Sequence, residues 1–134
     1  MGSREFAELV FVMDNIADLI GTPFEFGGRG PNAYDCYGLI MKLLKDDGID
    51  IPDYVCPTTY GKRAALMAIE ISKWEQIEES PGAMVFIKAG RMFHVGYVLK
   101  HGKFIHCWEK SGGVVIERLD VWRDKISGFY KYVE

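Results

Sequence analysis

Cysteine is scarce in this chain: Cys36, Cys56 and Cys107 are the only three in 134 residues, and no two of them form a CxxC pair. An odd, scattered set excludes a disulfide framework that engages every cysteine. It fits a reduced compartment in which at least one thiol is free. Charge of one sign is lacking as well. The 16 Lys and Arg against 19 Asp and Glu give a net charge of −3 and a pI near 5.6, with the basic residues scattered. Without a basic stripe, neither nucleic acid nor an anionic membrane surface is an expected partner. Long apolar runs are missing too, because the segment 6–20 is interrupted by Glu8, Asp14 and Asp18, follows Glu5 and has no basic leader. It reads as an amphipathic helix, with Phe6, Leu9, Val10, Met13, Ile16, Ala17 and Ile20 at helical spacing, and not as a signal peptide or a membrane-inserting segment.

What is present is the composition of a folded domain, 49% hydrophobic and 26% charged. A chain of this length buries one core, and without an internal repeat or a composition break, residues 1–134 read as a single domain. A loop rich in Gly and Pro, 21–34, leads into a helix whose N-cap is Asp35. That helix carries Cys36, Leu39, Ile40, Leu43 and Leu44 on one face and ends at Asp47-Gly48. A third helical pattern covers 61–72, and Pro81-Gly82 closes the helical half. From there a period of two predicts strands at 84–88, 93–99, 103–108, 114–119 and 129–133, with a helical turn at 121–125. Helices first and hairpin strands afterwards predict an α+β fold, the N-terminal helices packed on an antiparallel sheet of about five strands, since parallel neighbours need helical crossovers.

Cys36 falls in the first turn of its helix, where free backbone N–H groups and the positive end of the dipole favour a thiolate over a thiol. The same N–H groups can donate to an oxyanion during acyl transfer. Set against this, a cysteine on an apolar helix face is more often a small core residue, and a single strand histidine more often satisfies a structural hydrogen bond. The combination points to chemistry. His94 and His106 lie on consecutive predicted strands with His101-Gly102 in the turn between them. A two-residue turn would put the two imidazoles on opposite faces, whereas a three-residue turn at 100–102, with Gly102 left-handed, makes them diagonal neighbours on one face. In that register His94 can take the thiol proton while His106 orients it, leaving His101 at the loop tip. A zinc site from Cys36, His94, His106 and Cys107 lacks ligand-pair spacing, and neighbours on a strand point to opposite faces, so no metal is expected.

Two blocks carry a family resemblance. GTPFEFGGRGPNAYDCYGLI, residues 21–40, is similar to a glycine loop leading into an Asp-Cys-Ser-Gly-Leu helix start. PGAMVFIKAGRMFHVGYVLKHGKFIHC, residues 81–107, is similar to a Pro-Gly-Asp-Leu-Val-Phe strand followed by His-Val-Gly and Phe-Ile-His strands. With both blocks in this order, the chain resembles the NlpC-type family of papain-like cysteine peptidases, which cut peptide bonds in bacterial cell-wall murein. The resemblance implies a papain-like fold, Cys36 as nucleophile, His94 as base and His106 as the third polar residue. It further implies that Asp35 binds the free amine of a terminal L-alanine, beside the γ-D-glutamyl bond to a diamino acid that is cut.

Two departures bear on the substrate. Tyr37 stands where the family usually has Ser, which is expected to reshape the pocket for the substrate's amino terminus. Phe24 stands where many members have a Tyr whose hydroxyl lies near the oxyanion. Asp35, Tyr37 and Phe24 are therefore the expected substrate-site residues. A bulky aromatic after the cysteine and the lack of binding modules resemble members attached to phage tails. That implies tail proteins as partners beside the murein peptide, and a cytoplasmic or virion-associated protein acting on the cell wall. No cofactor is expected. An amidase or acyltransferase would use the same three residues, and a structural tail component with a vestigial site is the alternative from another class.

Overall fold

In the computed structural model, residues 16–53, 69 and 71–133 are described. Of the expected first helix, 16–19 are helical and the rest lies outside the described residues; of the third, 69 and 71 are helical and 61–68 likewise lie outside. Helix α1 (Cys36–Asp46) is followed by strands β1 (Trp74–Ile77), β2 (Met84–Ala89), β3 (Met92–Val98), β4 (Lys103–Cys107) and β5 (Val114–Arg118). A 3-10 segment (Leu119–Lys125) then leads into β6 (Ile126–Tyr132). The sheet has six strands in the order β1-β6-β2-β3-β4-β5, and every neighbouring pair is antiparallel. The strand not anticipated is β1, Trp-Glu-Gln-Ile: it is short, on the edge, and only Trp74 is buried, so it has almost no alternation to read.

Alternation along the central strands divides the core into two layers. On one face Met84, Phe86, Val95, Ile105, Cys107 and Val114 pack against α1, which buries Cys36, Tyr37, Ile40 and Leu44 toward one cluster and Leu39 and Leu43 toward the other. Leu39 and Ile40 are fully buried, and truncating such a side chain to Ala typically costs about 2–5 kcal/mol. The C-terminal end of the helix is tied to the sheet by Tyr97, whose hydroxyl donates to Asp47 Oδ2 at 2.6 Å. On the other face Val85, Ile87, Val98 and Phe104 are covered by Leu119 and Trp122 of the 3-10 segment. None of the described helices is long and apolar enough to cross a membrane.

The start of α1 is set by Asp35, an extended N-cap whose Oδ1 accepts from Gly38 N–H at 2.6 Å. The preceding loop lies directly on this turn, since Gly28 C=O accepts from Asp35 N–H at 3.1 Å. There is no room for a side chain at Gly38, where a Cβ would collide with the Gly28 carbonyl oxygen. Gly38→Ala is expected to push the loop off the helix start and lower the urea midpoint by an amount equivalent to about 1–3 kcal/mol, the usual cost of overpacking; an unchanged midpoint would show that the loop does not need this seat.

Candidate active site

The hairpin β3–β4 decides which residues can meet. Tyr97 pairs with Ile105 and Val98 with Phe104, and Leu99 N–H donates to Lys103 C=O, so the connection is the three-residue one at 100–102. His101 and Gly102 both adopt positive φ there, 63° and 69°. This register puts Gly96 opposite His106 and makes His94 its diagonal neighbour. On the next ladder Phe104 pairs with Glu117 and His106 with Val115. Glu117, His106 and His94 thus descend one face diagonally, one residue from each of three adjacent strands, a spacing that long side chains can bridge.

They do bridge it. His94 Nε2 lies 2.7 Å from His106 Nδ1, and His106 Nε2 lies 2.8 Å from Glu117 Oε1. Gly96 leaves room for this contact, because a Cβ there would stand 2.6 Å from the Phe104 ring and 3.3 Å from His106 Cβ. The surroundings are aromatic: Phe104 stacks on His106 with ring centres 4.4 Å apart, Trp122 meets it edge-on at 5.6 Å, and Trp108 lies 5.8 Å from His94. His94 and His106 are buried. In such low-dielectric surroundings each hydrogen bond is stronger, and an unmade one more costly, than in water.

Burial pushes the His106 imidazole below its ordinary pKa, against the hydrogen bond and charge of Glu117, which pull it up. The close contact with Glu117 is therefore a hydrogen bond from a neutral ring to a carboxylate, and not an ion pair. A carboxylate only accepts, so His106 donates from Nε2 and offers Nδ1 as an acceptor. His94 must then donate from Nε2, which leaves its Nδ1 as the nitrogen with the basic lone pair.

Helix α1 packs on one face of the sheet, and the His94 side chain projects from the other. Cys36 and His94 both line a cleft of about 60 Å³, together with Phe24, Met92, Phe93, Cys107, Trp108, Glu109 and Lys110. Consecutive residues line it, Phe93 and His94 of β3, and Cys107 at the end of β4 with the following Trp108. Cys107 offers no second nucleophile. Its thiol donates to Tyr34 C=O at 3.2 Å, and burial, with the Asp35 charge, pushes it up to about 12.

Of the three expected substrate-site residues, only Phe24 lines the cleft. Asp35 is 2% exposed, its Oδ1 accepts from Gly38 N–H and from Arg29 at 2.8 Å, and its Oδ2 accepts from Gly27 N–H at 3.1 Å. A carboxylate so engaged caps the helix and pairs with Arg29. Tyr37 is 2% exposed in the core under α1, and its hydroxyl donates to Pro52 C=O at 2.5 Å. Sequence reading missed Glu117, Trp122 and Arg29. Only the register of β4 on β5, across a six-residue connection, brings Glu117 to His106, and no turn signal fixes that register.

A thiol at a helix start, an imidazole held by a second polar side chain and an antiparallel sheet define a papain-like α+β domain. Residues 21–130 match the NlpC/P60 family, and the chain belongs to it. It is 30% identical over 111 residues to the probable endopeptidase NlpC of Escherichia coli, covering 80% of this chain and 66% of that protein. Among solved structures, an NlpC/P60 family protein from Bacillus cereus superposes with a TM-score of 0.66 at 18% identity, covering 92% of this chain and 39% of the other. RipD from Mycobacterium tuberculosis, described as a non-catalytic NlpC/p60 domain adapted to peptidoglycan binding, superposes at 0.58 and 16% identity, covering 92% and 95%. The chain spans 20% of the length of the probable endopeptidase p60 of Listeria seeligeri and 66% of that of the Escherichia coli NlpC.

The depressed His106 has a measurable consequence. As pH falls below the ordinary value of 6.5, the unfolded chain takes up a proton that native His106 resists, so its contribution to stability is whole above pH 6.5 and is lost toward acid. Unfolding free energy is expected to fall by up to ~1.4 kcal/mol per pH unit from this one group. His106→Gln should flatten the slope between about pH 6.5 and 5, above the usual carboxylate range; an equal slope in both proteins would mean that native His106 protonates freely.

Proposed function

We propose that this chain is a cysteine endopeptidase acting on the peptides of bacterial murein, with Cys36 as nucleophile, His94 as base and then acid, and His106 as the group that holds His94. The observation that carries the reading is that Cys36, at the start of α1, and His94, whose ring is fixed by a 2.7 Å bond to His106, line the same cleft. His94 Nδ1 takes the thiol proton as Sγ attacks the carbonyl carbon, and the oxyanion of the tetrahedral intermediate is met by backbone N–H groups at the helix start. The same proton passes to the departing amine, leaving a thioester on Cys36. Water then attacks with His94 again as base, releasing the carboxylate product and the thiol.

The likeness to the murein DD-endopeptidase MepS of Escherichia coli, 25% identical over 111 residues, supports a murein substrate, and the proposed bond is the one from γ-D-glutamate to the diamino acid. Because Asp35 is engaged with Arg29, recognition of a free substrate amine by this carboxylate forms no part of the proposal. A second reading, a wall-binding or phage-tail domain without cleavage, is favoured by the likeness to RipD and by Phe24, which brings no hydroxyl to the cleft. One experiment separates the two. Purified murein of several wall types is incubated with the protein and with Cys36→Ala, and the soluble fragments are weighed. Fragments ending in D-glutamate that depend on Cys36 are expected. Sedimentation of the protein with intact murein, without any Cys36-dependent fragment, would reject the peptidase and establish the binding domain.

A further inference from the structure

Glu117 sits on the edge strand β5, where an outward-facing carboxylate needs no partner, yet both of its oxygens are engaged inward. Oε1 lies 2.8 Å from His106 Nε2, and Oε2 accepts from Trp122 Nε1 at 3.3 Å. Trp122 comes from the 3-10 segment that follows β5 directly, so strand and segment together grip one side chain. We propose that Glu117 is a positioning residue of this site: held by Trp122, it sets the tautomers of His106 and His94 in series, so that His94 keeps Nδ1 as its proton-accepting nitrogen. The proposal rests on the reading of Cys36 and His94 as a nucleophile and its base.

The argument is one of direction. Two neutral imidazoles joined by a single hydrogen bond can be arranged either way round. In one arrangement His94 donates from Nε2 and keeps a lone pair on Nδ1. In the other, His106 donates from Nδ1, and the His94 proton sits on Nδ1, where it cannot accept another from a thiol. The bond between the rings is the same length in both and selects neither. Only a group at the far end that accepts and never donates breaks the tie, and Glu117 is that group. After proton transfer it has a second effect: the His94 imidazolium forms inside an aromatic box, and the Glu117 carboxylate is the anion joined to it through His106. The other charges near the site are arranged differently, since Glu109 and Lys110 line the cleft mouth and Asp35 is paired with Arg29.

The test is nitrogen-15 NMR of the histidine rings near pH 7.5 in Cys36→Ala, where no thiol proton can reach His94, with and without Glu117→Gln, whose amide can donate as well as accept. The expected result is a single His94 tautomer protonated at Nε2 in Cys36→Ala and a mixed or reversed tautomer when Glu117→Gln is added. With Cys36 intact, Glu117→Gln should lower kcat on a murein peptide at least about tenfold with KM within about twofold and the unfolding midpoint nearly unchanged. Trp122→Phe keeps the ring, loses the donor, and is expected to show the same change to a smaller degree. A neutral His94 protonated at Nδ1 in Cys36→Ala, or the same tautomer after Glu117→Gln is added, would overturn the proposal. Should the unaltered protein cleave no murein while the tautomer still depends on Glu117, the peptidase reading falls and the positioning role stands.

Discussion

A neutral imidazole has one nitrogen that donates and one that accepts, and the site depends on which way round two such rings are joined. The 2.7 Å bond between His94 and His106 crosses the sheet where the β3–β4 ladder has ended, so a side-chain contact continues what backbone pairing begins. Burial keeps His106 neutral, and the Glu117 carboxylate decides which of its nitrogens carries the proton. The polarity of the chain then runs outward to the cleft that His94 and Cys36 both line.

The need for close approach explains several otherwise arbitrary features. Gly96 carries no side chain because the Phe104 ring and the His106 Cβ lie over it, and Gly38 carries none because the glycine loop rests on the first turn of α1. Asp35 sits between these demands as a cap for the helix and a partner for Arg29 and the loop. Its role is to hold the backbone that carries Cys36 in place, one residue away from the chemistry. Tyr37 does similar service on the core side, anchoring α1 to the chain at Pro52. The residues flanking Cys36 are thus engaged in placing the helix start.

Much of this was legible in the sequence, and what was not has physical reasons. The Asp35 cap, the start of α1 at Cys36 and the strands that carry His94 and His106 follow from local signals, whereas the turn between them is fixed at three residues only by the ladder. Local signals do not carry the way a side chain points at a helix start, and the family resemblance that implies substrate roles for Asp35 and Tyr37 does not reveal their bonds to Arg29 and Pro52. Arg29, six residues before Asp35, turns back onto it through a loop whose path only the fold determines. Glu117 depended on a strand register across a long connection, and β1 on four residues with a single buried side chain. It was equally hidden that α1 packs on one face of the sheet, that His94 projects from the other, and that Cys36 and His94 line one cleft.

The central claim, that His94 activates Cys36, is tested most directly by the pH dependence of iodoacetamide capture at each cysteine, read by peptide mass in the native protein and in His94→Ala. Cys36 is predicted to react well below the ordinary thiol value of about 8.5, and His94→Ala to move its reaction back up toward that value. Cys107, raised to about 12, should stay unlabelled until the chain unfolds. A Cys36 that titrates near ~8.5 in the unaltered protein, or one indifferent to the loss of His94, would contradict the account.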